Sequence, residues 1–169
     1  ELQKITANMD SLLKIKTRSG QQKKINIMKS VLANVPDLYV NQAIFVSIFV
    51  NHILNSIKSI REVGRDDPEI KITVQKEKTN IIIDIEDNGN GISDLNRDKI
   101  FDPFWSSYAK SSSNKGMGLG MTISKEIVED QLGGTVELVK TVYEQDEPGK
   151  GSAIFRIIIP EKEMKENES

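Results

Sequence analysis

The chain has 169 residues, enough for one domain with a hydrophobic core. Its 23 basic and 25 acidic residues leave a net charge of -2, which gives no electrostatic basis for binding nucleic acid or an anionic membrane. It contains no cysteine, so disulfides and thiolate metal sites are excluded.

No apolar run approaches the roughly 18 to 20 residues of a membrane span; the longest, AIFVSIFVNHIL, is interrupted by serine, asparagine and histidine. No membrane contact by this domain is therefore expected. No signal peptide is visible. The numbering begins at Glu1 and not at a methionine, so the chain reads as a segment of something longer.

Residues 1–16 read as helix, with Leu2, Ile5, Met9 and Leu12 spaced as a coiled-coil-like seam. Two readings stay open: a short helix on the domain's own core, or the tail of a dimerising helix. Thr17 to Gln22 is polar, contains Gly20 and breaks that helix. Ile25, Met28, Val31, Leu32 and Val35 suggest another short helix, ending before Pro36. Residues 41–62 form the strongest helix signal. Ile70 to Gln75 alternates like a half-buried strand, and Thr79 to Glu86 reads as its hairpin partner across a turn near Glu77, Lys78 and Thr79.

Asp87 to Asp98 reads as loop or short helix, and Phe101 to Gly120 as a long Ser-, Lys- and Gly-rich stretch. Met121 to Leu132 is helix. Thr135 to Val142 and Ala153 to Ile159 are strands joined by EQDEPGKG. The charged tail EKEMKENES reads as frayed. The expected fold is α+β, a two-layer sandwich of a mixed or antiparallel sheet with helices on one face. The expected organisation is 1–22 as the end of a dimerisation helix or linker, 23–160 as the domain, and 161–169 as a disordered tail.

Three segments carry candidate chemistry. At 100° per residue, Phe45, Phe49, Ile53, Ile57 and Ile60 share one side of the 44–60 helix, extended by Val50 and Leu54. Asn51, Asn55 and Lys58 fall within an arc of about 60° on the opposite flank. Mid-helix asparagines are weak helix formers, because their side chains compete for backbone bonds. The plainer account is a solvated flank; the functional one is an amide oxygen on a hard cation such as magnesium, with a lysine beside a phosphate.

Residues 84–92, DIEDNGNGI, bring Asp87 to the end of a strand, where Gly89 and Gly91 leave room for a flat ring. A carboxylate there can accept a hydrogen bond from an exocyclic amine. The plainer account is a hairpin-like turn. Residues 115–121, KGMGLGM, run into a helix, and Gly116, Gly118 and Gly120 fit a phosphate-cradling loop at a helix N-terminus. Their G-x-G-x-G spacing is neither the Rossmann fingerprint nor a P-loop.

In order, NHILNSIKS, DNGNGI, FDPFWSS, KGMGLGMTISKEIV and GKGSAIFRIIIP closely resemble the ATP-binding domain of sensor histidine kinases, over roughly residues 25–160. That family belongs to the group containing gyrase, the large ATP-dependent heat-shock chaperone and the MutL mismatch-repair ATPases. The resemblance implies ATP and Mg2+ held between the asparagine helix and a lid. It makes Asn51, Asn55 and Lys58 catalytic and Asn55 the magnesium ligand. Asp87 becomes the reader of the adenine amine, in a pocket shaped by Gly89, Gly91 and Ile92. Phe101 and Phe104 match the motif that anchors the lid, residues 105–115. Phe104, Lys115, Gly116, Met117, Gly118, Leu119, Gly120 and Met121 complete the nucleotide-binding set.

The sequence also departs from the family's pattern. The family often has two threonines and a lysine after its phenylalanine motif, where this chain has Ser106, Ser107 and Tyr108, so Lys110 or Lys115 must supply any γ-phosphate contact. The final strand often carries a threonine near the adenine, where this chain offers Ser152 and Ala153. Hydrolytic cousins place a glutamate base four residues before the magnesium asparagine. Here that residue is Asn51, and an amide is a poor proton acceptor, so fast hydrolysis is not expected.

The resemblance further implies transfer of the γ-phosphoryl group to a histidine on a helical dimerisation domain. A response regulator, a homodimeric full-length protein and a cytoplasmic location follow, with any membrane anchor in the sensor portion before Glu1. The chain's single histidine, His52, lies on the asparagine helix itself, a poor place from which to reach the γ-phosphate in line; packing or surface exposure is its expected role. The acceptor is expected outside this chain. The alternative is a nucleotide-gated interaction module without phosphotransfer, motivated by the lid SSYAKSSSNK.

Overall fold

A computed structural model describes residues 11–32, 35–36, 40–105 and 117–161. A five-stranded mixed sheet forms one layer. It comprises β3 (Asn26–Val31), β4 (Glu69–Glu77), β5 (Asn80–Asp87), β6 (Thr135–Val142) and β7 (Ser152–Pro160), in the order β3-β4-β5-β7-β6. β3 runs parallel to β4 and the other pairs are antiparallel. A small antiparallel hairpin, β1 (Lys14–Lys16) with β2 (Gln22–Lys24), adjoins it. Helices α1 (Gln42–Val63) and α2 (Gly120–Glu126, continued by a π-helical turn Ile127–Gln131) cover one face. The expected two-layer α+β sandwich is the observed one.

The core forms where two periodicities meet. Ile53, Ile57 and Ile60 recur along one side of α1 and are fully buried with Ile48 and Phe49. Alternate residues of the strands face them: Ile70 and Ile72 on β4, Ile81, Ile83 and Ile85 on β5, Ile157 and Ile159 on β7. Each such side chain contributes roughly 1.5–3 kcal/mol when fully buried. By length and composition α1 could cross a membrane. Its apolar stripe is instead spent on the sheet. The Asn41 side chain caps its start, accepting from Ala43 N (3.0 Å) and Ile44 N (3.3 Å), and Gly64 at φ 60° ends it.

Two segments expected to be helical contain strands among the described residues. Of residues 1–16, the first ten lie outside the described residues, and Lys14–Lys16 is a strand. Leu13 and Ile15 are buried in the main core, and residues Thr17 to Gln21 turn the chain into β2. The short helix expected from Ile25 is strand β3. The three-residue spacing of Ile25, Met28 and Val31 suggested a helical face, yet Met28, Val31 and Leu32 are exposed and Ile25 is buried. Pairing decides the segment: Ile27 stands opposite Ile70, and the ends are fixed by Asn26 N–H to Pro68 O and Leu32 N–H to Val74 O, both 2.9 Å. The other strands lie where the alternation put them, including the Lys78-Thr79 turn, where Lys78 takes φ 56°. Of the expected frayed tail, 161–169, Glu161 is held, donating its N–H to Thr79 O at 2.7 Å and pairing with Lys76 at 2.6 Å, and residues 162–169 lie outside the described residues.

Candidate nucleotide site

Asp87 closes β5 opposite Ile70 of β4 and Ala153 of β7. Its carboxylate is buried at 3% exposure on the helix-facing side. Oδ2 accepts the Ser56 hydroxyl (2.9 Å) and Oδ1 the Gly89 N–H (3.0 Å). Burial pushes its pKa up to about 6, opposed by the Gly89 N–H and the Ser56 and Ser59 hydroxyls. A buried carboxylate that accepts bonds but has no cationic partner among the described residues is poised to accept from a ligand.

The residues after Asp87 do not make a hairpin. β5 pairs with β4 and β7, and the chain leads instead into a 3-10 helix, Asp94–Lys99. The loop is held on every side. Asn90 N–H donates to Ser59 Oγ and Ile92 N–H to Thr141 Oγ1, both 2.8 Å, and Glu144 N–H donates to Asn90 O at 2.8 Å. A Cβ on Gly89 would overlap Ser59 Oγ, and Gly91 sits at φ 68° with its open side filled by Val142 O. Gly91→Ala is therefore expected to cost more than the ~1–2 kcal/mol of the left-handed conformation. A thermal melt should show a clear fall in Tm; an unchanged Tm would mean that the loop is not held this way.

On α1, Asn51 is half-buried and its Nδ2 donates to Ser124 Oγ of α2 at 3.3 Å. A Cβ on Gly120 would lie 3.4 Å from Asn51 Oδ1, so the glycine motif and the asparagine helix meet at Asn51. Asn55, one turn on, is half-buried and makes no side-chain hydrogen bond among the described residues. Lys58 is exposed. α2 starts at Gly120 with no side-chain cap, which leaves its first N–H groups to other acceptors.

Lys115 and Gly116 lie outside the described residues, as do Ser106, Ser107, Tyr108 and Lys110. The two ends of that segment come together: Gly118, at φ 68°, has no room for a Cβ, which would stand 2.6 Å from Trp105 O. Met117 is 78% exposed and Phe104 75%, the latter with φ 62°. Phe101 is the anchored member of its motif. It meets Phe155 edge-on at 6.4 Å, lies under Lys125 Nζ at 5.4 Å, and its carbonyl accepts from Thr122 Oγ1 at 3.0 Å. Ile92 and Met121 pack together with Phe101 around Ile100, Ala153 and Phe155, while Leu119 is half-buried.

His52 is 1% exposed, meets Phe155 edge-on at 5.4 Å, and neither ring nitrogen has a partner. Burial drives its pKa down to about 4. Packing, and not surface exposure, is thus its place.

Sequence reading missed Ser56, Ser59, Thr141, Arg65 and Glu144. The two serines interrupt the apolar stripe of α1, a signal that was available. Thr141 of β6, opposite Ala153, uses its hydroxyl on Ile92 and on the Ser152 carbonyl, while Ala153 of β7 stands beside Asp87. Arg65 and Glu144, 79 residues apart, carry no local pattern.

Residues 41–163 match the family described as histidine kinase-, DNA gyrase B-, and HSP90-like ATPase. The chain is 32% identical over 133 residues to the sensor protein KdpD of Clostridium acetobutylicum, covering 78% of this chain and 14% of that protein. It is 32% identical over 146 residues to the hybrid signal transduction histidine kinase A of Dictyostelium discoideum, covering 80% of this chain and 6% of that protein. The chain thus spans about a seventh or less of these relatives. Among solved structures, it superposes on the catalytic domain of histidine kinase ThkA with a TM-score of 0.66 at 18% identity, covering 95% of this chain and 90% of that one. Full-length ShkA in complex with AMPPNP gives a TM-score of 0.70 at 19% identity, covering 94% of this chain and 29% of that one. At these identities the structures establish a shared fold, and the family match over most of the sequence establishes more: the chain belongs to the histidine kinase-, DNA gyrase B- and HSP90-like ATPases.

Proposed function

We propose that the chain is the Mg-ATP-binding catalytic domain of a two-component sensor histidine kinase and that it donates the γ-phosphoryl group to a histidine outside these residues. The observation that carries this is the buried Asp87 carboxylate, aimed from the end of β5 beside a loop whose glycines leave no room for side chains. An acceptor carboxylate suits the amine edge of adenine; the space beside Gly89 and Gly91, expected to admit the ring, is taken by Ser59 and the Val142 carbonyl. The relatives' names, sensor protein and histidine kinase, support the same reading.

The residues fit a magnesium nucleotide. The half-buried Asn55 amide offers a hard oxygen ligand, and Asn51 stands one turn before it, against Gly120. Among the described residues no group of three or more His, Cys, Asp or Glu could hold a metal, so a cation here takes most of its oxygens from phosphate and water. Bound magnesium neutralises charge on the phosphates. Asp87 orients the base, Gly118 and Gly120 with the start of α2 face the phosphates, and Lys58 adds positive charge. Lys115, Gly116, Met117, Leu119 and Met121 would complete the nucleotide-binding set, and Phe104 would help to anchor the lid. Asn51 spends its amide N–H on Ser124 and provides no base for water, which favours transfer over hydrolysis.

The acceptor is a histidine on a helical dimerisation domain, since His52 is sealed in the core. The chain ahead of the β1–β2 hairpin would connect to that domain; the hairpin, with Leu13 and Ile15 in the core, forms the nucleotide-binding unit with the rest of the chain to residue 160, and 161–169 would be a tail. A homodimeric, cytoplasmically placed kinase acting on a response regulator completes the proposal.

Calorimetric titration with ATP, with and without Mg2+, tests the first half; binding that strengthens with magnesium is expected. Incubation of the chain with radiolabelled ATP and a separate histidine-bearing dimerisation domain tests the second. Tight binding with no labelled histidine on any dimerisation domain offered would sink the kinase reading.

A further inference from the structure

A buried ion pair lies beneath the loop that follows Asp87. Glu144, in the loop between β6 and β7, is 6% exposed and has two donors on each oxygen. Oε1 accepts from Arg18 Nη2 (2.7 Å) and Gly149 N–H (2.8 Å); Oε2 accepts from Arg65 Nη2 (2.8 Å) and Gly151 N–H (2.9 Å). Arg65, just past the Gly64 cap of α1, is 7% exposed. Its Nε donates to Asn88 O at 2.7 Å, and its Nη2 to Gly89 O at 3.2 Å and Gly151 O at 3.0 Å. Gly151 has no room for a Cβ, which would stand 2.7 Å from Glu144 Oε2.

Asn88 C=O and Gly89 N–H belong to one planar peptide unit. Arg65 holds its oxygen, and its N–H donates to Asp87 Oδ1. The guanidinium, the peptide plane and the Asp87 carboxylate therefore form one rigid series. The next peptide repeats it: Gly89 O is held by Arg65 and Asn90 N–H by Ser59. Arg65 touches no ligand position itself. It fixes the backbone that fixes Asp87.

We propose that Arg65, itself held by Glu144, is a positioning residue for adenine recognition, setting where the Asp87 carboxylate stands against the exocyclic amine of the base. The proposal rests on the reading of this pocket as an ATP site. A lysine cannot replace the planar fork, because one ammonium does not span Asn88 O, Gly89 O, Gly151 O and Glu144 together.

The test compares two triphosphates: ATP, and purine riboside 5′-triphosphate, which lacks the amine. Each is titrated into the wild-type chain, Asp87→Asn and Arg65→Lys, with cooperative melting as proof of folding. The wild type is expected to prefer ATP and Asp87→Asn to lose that preference. Arg65→Lys should lose most of it, the ratio falling on the order of tenfold, while binding of the amine-free triphosphate is kept. A purely structural role would weaken both ligands alike. That outcome, or a wild-type ratio in folded Arg65→Lys, overturns the proposal. If Arg65→Lys does not fold, the ratio in Glu144→Gln decides in the same way. A wild type that binds both triphosphates equally, with Asp87→Asn unchanged from it, overturns the adenine reading of Asp87 and this proposal with it.

Discussion

Asp87→Asn is expected to remove ATP binding and to leave the fold standing, firmer than the wild type at neutral pH. The loss follows from polarity. The carboxylate is all acceptor, and its amide replacement can satisfy the pocket in one orientation: Oδ1 to the Gly89 N–H, and Nδ2 to the Ser56 hydroxyl, which rotates to accept. The amide N–H2 then faces the adenine amine, donor against donor. Losing a hydrogen bond to a charged group costs about 1.5–3 kcal/mol, so affinity should fall roughly 100-fold or more once the clash is added.

The gain in stability follows from linkage. Burial raises the Asp87 pKa from 3.8 to about 6, so the folded state holds its proton more tightly than the unfolded chain. Its contribution is fully present below pH 3.8 and is lost as pH rises through 6. Above that, the wild type carries a buried charge costing about 3 kcal/mol, which asparagine does not. His52 works in the opposite sense. Its pKa falls from 6.5 to about 4, so stability is lost as pH drops below 6.5, when the unfolded imidazole gains a proton and the buried one does not. Between these limits the two residues offset each other in the wild type. Asp87→Asn should therefore show the larger stability at pH about 7, a difference that closes towards pH about 4, and a steeper acid slope. Denaturant unfolding at several pH values, beside calorimetry with ATP, measures all of this. Wild-type ATP affinity in the variant would remove Asp87 from the site.

The candidate site was legible wherever its chemistry lies within one short segment. Asn51 and Asn55 announce themselves because amides are costly in mid-helix. Asp87 does so because a carboxylate precedes two glycines at a strand end. The meeting of Asn51 with Gly120 and Ser124 was not legible in spacing, since it depends on how α2 packs across α1. β3 was misread for a related reason. Its exposed Met28 and Val31 mimic a helical stripe, and only the ladder with β4, some forty residues on, makes the segment extended. Ser56 and Ser59 could have been found as polar gaps in an apolar stripe. Arg65 and Glu144 look like ordinary charges in a sequence where charges are common, and their burial comes from the closing of two loops on each other.

Glu144→Ala is expected to be among the most destabilising single substitutions in the chain. Arg65 would keep its carbonyl partners but lose its counter-charge at 7% exposure. Breaking such a buried pair from one side typically costs about 3–5 kcal/mol, because the remaining charge stays out of water. The Gly149 and Gly151 N–H groups would lose their acceptor as well. Arg18→Ala should cost far less, because its side chain is 50% exposed and water can replace it. Acid should approach the same state by protonation. Burial tends to raise the Glu144 pKa, but the Gly149 N–H, Arg18, the Gly151 N–H and Arg65 together outweigh it and bring the pKa down from 4.5 to about 2. The folded carboxylate thus resists protonation; its stabilisation is complete above pH 4.5 and is lost as pH falls towards 2. Denaturant melts of Glu144→Ala, Arg65→Ala and the double variant separate the pair from its surroundings. In Glu144→Ala the Arg65 charge loses its counter-charge, whereas in Arg65→Ala the Glu144 carboxylate keeps Arg18 as its partner; the double variant removes both charges of the pair and should be less destabilised than the two singles summed. Additive losses would mean that the two side chains contribute separately through their backbone partners, with no coupling across the pair.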